Sequence, residues 1–173
     1  MKINRIVGRE VFTASGEPTL CCDIVLENEK QVSAILPIDE TMEQEGYFVC
    51  YDGGSRYNGK GMQKAVMHID TLIAPALLGK EPDLFVIDAV LSELDGTTER
   101  TTLGANVTLA VSMAVCKAQA VAQDIELFEV IAQLQDSHSV SLPFPLMTIV
   151  NEGLASSAEF PCSSIFVVPV GAQ

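Results

Sequence analysis

Three short apolar runs, separated by polar turn clusters, occupy the first 36 residues of this 173-residue chain. Ile3, Ile6 and Val7 form the first run, residues 20–26 the second and residues 32–36 the third. Ser-Gly-Glu-Pro and Glu-Asn-Glu-Lys lie between them, and clusters of this composition end strands and reverse the chain. The pattern predicts a three-stranded antiparallel meander.

The segment after the meander has a weaker pattern. Residues 38–51 begin acidic and end in the apolar run Tyr-Phe-Val-Cys-Tyr, which fits a strand as well as a buried helix, so both stay open. A turn cluster follows at residues 52–55. The Gly-Lys-Gly at 59–61 then precedes a predicted helix that runs through His68.

Helical spacing is clear from residue 83 onward. Residues 83–94 place four apolar side chains on one helix face, and Asp95-Gly96 follows as a stop. An amphipathic surface helix is therefore predicted, with these residues facing the core: Leu84, Ile87, Leu91 and Leu94.

Residues 106–123 form the most apolar helical segment of the chain. Alanines, valines, Leu109 and Met113 cover nearly its whole circumference, and Lys117 is its only charge. A helix that is apolar all round lies inside a core, and Asn106 is expected to cap its start. A membrane span is the competing interpretation, which polar residues within the segment disfavour.

Composition limits the architecture and the partners. The hydrophobic fraction of 48% and the mass of 18.6 kDa suit one domain with a core plus an appendage. The chain has 23 Asp and Glu against 10 Lys and Arg, so its net charge of -13 repels phosphate backbones and anionic membrane surfaces. Neither nucleic acid nor a membrane is expected as a partner.

The five cysteines include no Cys-x-x-Cys pair, which argues against a zinc site and a disulfide framework. Cys21 and Cys22 are adjacent in an expected strand, so we predict small core residues on opposite faces rather than a vicinal disulfide. The amino terminus has no apolar run that could act as a signal peptide. A reduced, cytoplasmic setting is expected.

Several motifs occur in the order in which enolases have them. The longest is LGANVTLAVSMAVCKAQAVAQDIELFEVIAQL at 103–134; the others are GREVF at 8–12, GEPTL at 16–20, SRYNGKGMQKAV at 55–66, LDGT at 94–97, PFPLMTIVNEG at 143–153 and VPVGA at 168–172. The chain thus resembles the enolase family in its amino-terminal domain and its first two barrel strands. The implied fold is α+β: the meander and a helical bundle in 1–135, and a β-hairpin from an incomplete barrel in 136–173.

Enolases dehydrate 2-phosphoglycerate to phosphoenolpyruvate with a lysine base and two magnesium ions, and the resemblance implies a position for each group. In the family's mobile loop, aligned on Pro37, Thr41 replaces a magnesium-binding serine, and acidic residues replace both glycines. Losing that backbone freedom argues against loop closure. We interpret the acidic residues of 39–45 as a solvated face, with a cation site as the alternative.

Other site positions also differ from the family. Ala155 stands where the family has a substrate-positioning histidine, and Ser163 and Ser164 stand where it has a Gln-Glu pair. The turn at residues 13–19 keeps the family's glycine and proline but lacks its arginine and aspartate. The lysine base and the carboxylates for the first magnesium belong to later barrel strands, beyond Gln173.

The resemblance therefore implies a non-catalytic pseudoenzyme with no cofactor, where magnesium would matter only if enolase chemistry remained. Two alternatives stay open. The chain is a fragment or subunit of a magnesium-dependent enolase, or it is a small ion- or ligand-binding module built on residues 39–45.

The predicted hairpin suggests how such a protein would act. Residues 143–150 and 165–170 are strongly apolar, and an isolated hairpin exposes apolar surface and unpaired edges that proteins normally cover. Self-association into a homo-oligomer, most simply a dimer, is expected ahead of packing back on its own domain or docking on a full-length enolase. The residues expected to make the contacts are Phe144, Leu146, Met147, Ile149, Ile165, Phe166 and Val168.

Overall fold

The computed structural model describes residues 1–37, 41–137, 139–151 and 164–170, and it divides the chain into two compact units, Met1–Asp136 and Ser137–Gln173. The first unit is an α+β fold. Its strands are β1 (Ile3–Phe12), β2 (Pro18–Leu26) and β3 (Gln31–Ile35), and its helices are α1 (Thr41–Gln44), α2 (Gln63–His68), α3 (Ala74–Leu77), α4 (Leu84–Asp95), α5 (Ala105–Gln123) and α6 (Leu127–Leu134). The predicted fold class is confirmed.

The three strands form an antiparallel meander in the order β1-β2-β3, with Cys22 paired to Gly8 on one side and Ala34 on the other. All nine residues of β2 are buried. Because successive side chains of a strand point to opposite faces, Cys22 joins the hydrophobic core while Cys21 lies on the opposite face beside Asp23. Both cysteines are buried free thiols, as the sequence predicts.

Helix α5 packs against β2 and β3 and is the central helix of the core. Its length and composition would also suit a membrane span, but the buried core helices of other proteins meet the same criteria. Eight of its residues are buried within the unit: Asn106, Val107, Ala110, Val111, Ala114, Val115, Ala118 and Ala120.

Asn106 does not cap α5, so that prediction is wrong. The helix begins after Gly104, whose φ of 105° is a conformation that favours glycine. Asn106 lies in the first turn and is buried, where its amide faces the backbone of Cys50. An asparagine before an apolar helical run therefore serves here as a tertiary bridge.

Helix α4 matches the predicted surface helix in its limits and in most of its buried face. The Asp83 carboxylate accepts a hydrogen bond from the Val86 amide at 3.1 Å, and Gly96 ends the helix with a φ of 70°. Ile87 and Leu91 are buried, but Leu94 is exposed, contrary to the prediction. Asp95 is buried in its place because its carboxylate accepts hydrogen bonds from the segment that follows α4.

The helix that was expected to end at His68 continues further. A π-helical turn at Ile69–Ile73 links α2 to α3, and Pro75 lies in the first turn of α3. Residues 47–51, for which strand and helix both stayed open, form neither. This segment is held by backbone hydrogen bonds from Phe48 to Glu99 and from Ala105 to Phe48, at 2.9 and 2.8 Å.

In the second unit, β4 (Met147–Asn151) and β5 (Ser164–Val167) pair as an antiparallel hairpin, which confirms the predicted one. Both strands are shorter than the predicted runs 143–150 and 165–170. Residues 143 and 145 are prolines, which lack the amide hydrogen that a ladder needs, and Pro169 follows β5.

Candidate functional site

We call the exposed apolar residues of the second unit the hairpin surface. They include Phe144, Leu146, Met147, Ile149, Ile165, Phe166 and Val168. These seven predicted contact residues all lie in the described part of the chain, and their exposed fractions run from 40% at Ile165 to 68% at Phe144. The strand register places Met147 opposite Val167 and Thr148 opposite Phe166. The structure thus brings the predicted residues together in one unit.

The sequence of the hairpin explains this exposure. A strand with one buried face alternates apolar and polar residues, whereas Met-Thr-Ile-Val-Asn and Ser-Ile-Phe-Val offer apolar side chains to both faces. Ile149, Phe166 and Val167 are all exposed by 41% or more. Such strands suit a sheet that is covered on both sides, so the hairpin surface is chemically fit to bind apolar protein.

A cleft in the first unit is a second candidate. It has a volume of about 290 Å³, and its charged lining residues are Glu17, Glu43 and Lys60, all exposed. The other lining residues are mostly apolar: Pro18, Thr19, Leu36, Pro37, Met42, Gln44, Val49, Tyr51, Met62 and Asn106. Thr41 opens α1 beside this cleft, but its side chain lies outside the described atoms.

The turn between β1 and β2 borders the same cleft at Glu17. Gly16 has a φ of 82°, and the Thr13 hydroxyl lies 2.8 Å from the Ser15 hydroxyl while accepting a hydrogen bond from the Glu17 amide at 3.2 Å. The side-chain groups of the turn therefore close it on itself. Its chemistry is that of hydroxyl groups and one carboxylate.

Charged side chains near the sheet are paired with one another. The carboxylate of Asp23 lies 2.5 Å from the Arg9 guanidinium and accepts a hydrogen bond from Ser33 at 2.6 Å; the hydrogen bond from Arg9 lowers the pKa of Asp23. Glu10 is held by Arg56, whose hydrogen bond lowers the pKa of that carboxylate. Groups stabilised in their charged forms by neighbours act as structural ties rather than as acids or bases.

The described cysteines are poor nucleophiles. Burial raises the pKa of the Cys22 thiol to about 12, and it also raises the pKa of Cys50. The Cys50 sulfur lies 3.8 Å from His68 Nδ1, but that nitrogen lies 2.8 Å from the Leu103 carbonyl oxygen and donates its hydrogen there. His68 therefore cannot accept a proton from Cys50 through Nδ1.

Within the described ranges, three or more His, Cys, Asp or Glu side chains do not come together in a group that could hold a metal ion. Of the acidic residues proposed as an alternative cation site, Asp39 and Glu40 lie outside those ranges, while Glu43 and Glu45 are exposed at α1 and just after it. The described structure therefore supplies no positive argument for the ion-binding alternative.

The sequence of the first unit matches a known protein family. The family profile described as "Enolase, N-terminal domain" matches residues 3–131, which is most of the chain. The chain belongs to the enolase family. Its enolase N-terminal domain therefore contains the meander, helices α1 to α5 and the first five residues of α6.

The family site positions fall unevenly on the described structure of this enolase-family chain. Ala155 and Ser163 lie outside the described residues, and Ser164 is the first residue of β5, paired with Asn151. Residues 13–17 form the exposed turn beside the cleft. That these positions lack the functions they have in enolases therefore stays a prediction.

Two features were missed by reasoning from the sequence: the cleft and the link between Glu10 and Arg56. Both depend on residues far apart in the chain, since 46 positions separate Glu10 from Arg56. A signal did exist at Glu10, which lies at an inward-facing position of β1 opposite Leu20. A carboxylate at such a position requires a partner.

Proposed function

We propose that this enolase-family chain acts as a non-catalytic protein that binds a second copy of itself through the hairpin surface. The observation that carries the proposal is the exposure of apolar side chains on both strands of a two-stranded hairpin. Contiguous apolar surface of this kind marks a protein contact. A second copy supplies the same surface, so the contact is self-complementary.

The backbone of the hairpin favours the same partner. Among the described residues, β4 and β5 form a two-stranded sheet, and ribbons of two strands are marginally stable alone. Pairing β4 or β5 with the equivalent strand of another copy would extend this sheet. Ile149 and Phe166, which are 66% and 48% exposed, would be covered where a face of one hairpin packs on the other copy.

The proposal of lost catalysis rests on the residues that replace the family's functional groups. Alanine at 155 can neither transfer a proton nor bind a phosphate group, and serines at 163 and 164 do not carry the charge of a Gln-Glu pair. Acidic residues flank the position of the magnesium-binding serine instead of glycines. These substitutions support a protein-binding role over dehydration of 2-phosphoglycerate.

The test is the mass of the complex in solution, measured by sedimentation velocity over a wide range of protein concentrations. The unaltered chain is expected to form a dimer, and the double variant Ile149→Lys with Phe166→Lys is expected to be monomeric. Burying one such side chain contributes about 1.5–3 kcal/mol, so its loss should weaken the dimer at least tenfold.

Phe85→Lys is the matched control, because Phe85 is 68% exposed on α4 in the first unit. It should leave the dimer intact. A monomeric unaltered chain would overturn the self-association proposal, as would a dimer that Phe85→Lys disrupts and the hairpin variant does not. Phosphoenolpyruvate formed by the purified chain from 2-phosphoglycerate and magnesium would overturn the proposed loss of catalysis.

A further inference from the structure

Residues 52–61 form a loop whose backbone is strained. The loop closes through backbone hydrogen bonds from Asp52 to Gly61 at 2.8 Å and from Gly53 to Gly59 at 2.9 Å. At its tip Tyr57 and Asn58 have φ values of 48° and 53°, the left-handed region. A bulky side chain such as tyrosine is strongly disfavoured there, so the loop's own backbone resists the closed shape.

One carboxylate opposes that strain. Glu10 is 13% exposed on β1 and accepts hydrogen bonds from both terminal nitrogens of Arg56, the one from Nη1 at 2.7 Å. It also accepts a hydrogen bond from the Met62 amide at 2.7 Å. Glu10 therefore fixes a residue near the tip of the loop and the residue directly after it.

Aromatic contacts depend on the same geometry. The Arg56 guanidinium lies 4.4 Å from the centre of the Tyr57 ring, and that ring packs edge-on against Phe12, with 5.3 Å between ring centres and 84° between planes. Asp52 adds a weaker bond to Arg56 at 3.3 Å. If Arg56 left Glu10, the support under Tyr57 would be lost.

We propose that residues 52–61 are a two-state loop in which the Glu10–Arg56 pair is the latch and the left-handed Tyr57–Asn58 tip favours opening. In the closed state Arg56 is paired and Tyr57 packs on Phe12. In the open state the tip relaxes, and the rings of Tyr57 and Phe12 separate and become accessible to a binding partner. This device lies in the enolase N-terminal domain and does not depend on the proposed dimerisation.

The first test removes the charge of the latch with Glu10→Gln. The rate of tryptic cleavage after Arg56 is measured at neutral pH by mass spectrometry. Glutamine keeps the shape of the side chain but removes the charge that strengthens its bonds to Arg56. Cleavage is expected to become about tenfold faster or more. Glu17→Gln neutralises an exposed carboxylate at the neighbouring turn and should change the rate less than about twofold.

The second test acts on the strain and leaves Glu10 in place. Asn58→Val puts a β-branched side chain at a left-handed position and should open the loop, with cleavage at least about tenfold faster. Asn58→Gly suits the left-handed backbone and should keep the cleavage rate within a few-fold of the unaltered chain.

Unchanged cleavage in Glu10→Gln would overturn the latch, and equal rates in Asn58→Val and Asn58→Gly would overturn the role of strain. Circular dichroism and thermal melting accompany each digestion. Simultaneous cleavage at sites throughout the first unit would also overturn the proposal, because it would show that Glu10 maintains the whole fold rather than this loop.

Discussion

Replacing Asn106 by alanine should test how α5 is joined to the segment that crosses its start. The Asn106 Oδ1 accepts a hydrogen bond from the Cys50 amide at 2.9 Å, and its Nδ2 donates one to the Cys50 carbonyl oxygen at 3.2 Å. Both residues are buried. The side chain thus satisfies both polar groups of one peptide segment that water cannot easily reach.

The expected cost follows from those groups. Each hydrogen bond contributes about 1 kcal/mol net, and a buried amide left without a partner costs about 1–3 kcal/mol. Asn106→Ala should therefore lower the free energy of unfolding by roughly 2–4 kcal/mol. For a unit of this size the melting temperature should fall by roughly 10 °C.

Chemical denaturation measures the loss of stability, and hydrogen exchange at the Cys50 amide measures the loss of the bond itself. Thr108→Ala is the control, because the Thr108 hydroxyl bonds to carbonyl oxygens of its own helix start, at 3.1 and 3.3 Å. The control should cost less than about 1 kcal/mol. The reasoning is refuted if Asn106→Ala costs no more than the control or leaves exchange at Cys50 unchanged.

Three further predictions concern the first unit. Because Arg9 lowers the pKa of Asp23, the charged carboxylate stabilises the fold above its ordinary pKa of 3.8, and this contribution is lost as the pH falls through the lower folded value. Asp23→Asn should thus lower the free energy of unfolding at neutral pH and make it vary less with pH in acid. Urea unfolding down to about pH 2 measures this, and an unchanged slope of the unfolding free energy against pH would contradict the prediction. Gly104→Ala should lower the free energy of unfolding by about 3 kcal/mol or more, because the new Cβ would lie 2.6 Å from the Cys50 Cβ at a φ of 105°. In Gly96→Ala the nearest atom to the new Cβ is Glu93 O at 3.9 Å, so this control should cost about 1 kcal/mol. Equal melting temperatures of the two variants would contradict this prediction. In a Cys162→Ser variant, half-buried Cys116 should react with iodoacetamide before Cys22, because Cys22 is buried and its thiol has a raised pKa. Mass spectrometry of the labelled peptides measures both rates, and faster labelling of Cys22 would contradict the prediction.

Local periodicity was enough to predict much of this fold. The apolar runs and turn clusters in residues 3–36 located the meander. The helical spacing of 83–94 and the apolar circumference of 106–123 located α4 and α5 within one or two residues. These elements bury a simple face or a whole circumference, so their patterns follow directly from their surroundings. The hairpin strands were also placed, although prolines within the predicted runs shorten them.

Two errors occurred where a polar side chain bonds to groups outside its own helix. Asn106 resembles a helix cap in sequence, yet it bonds to a residue 56 positions away. Leu94 fits the apolar face of α4, but the buried position in the last turn belongs to Asp95, where hydrogen bonds from Thr97 and Leu103 outweigh the cost of burial and lower the pKa of the carboxylate. Periodicity contains no information on such partners.

The candidate site divides in the same way. The apolar residues of the hairpin surface were predicted individually, because exposed apolar strands can be recognised from composition. The cleft and the Glu10–Arg56 pair were not predicted. The cleft forms where residues 17–19, 36–37 and 42–62 meet, and the pair forms only when β1 meets the loop that carries Arg56. Ala155 and Ser163 stay predictions from the family resemblance.

The π-helical turn at Ile69–Ile73 holds one more residue than an ordinary α-helical turn. It includes a hydrogen bond of wider span, from the Ala74 amide to Ile69 O, before α3 begins. Deleting one residue from 70–72 would therefore let an ordinary α-helix form while Ala74 and Leu77 still faced the core. The same deletion within the regular helix α5 would rotate everything downstream by about 100°, so this segment should tolerate a change in length that the central helix cannot.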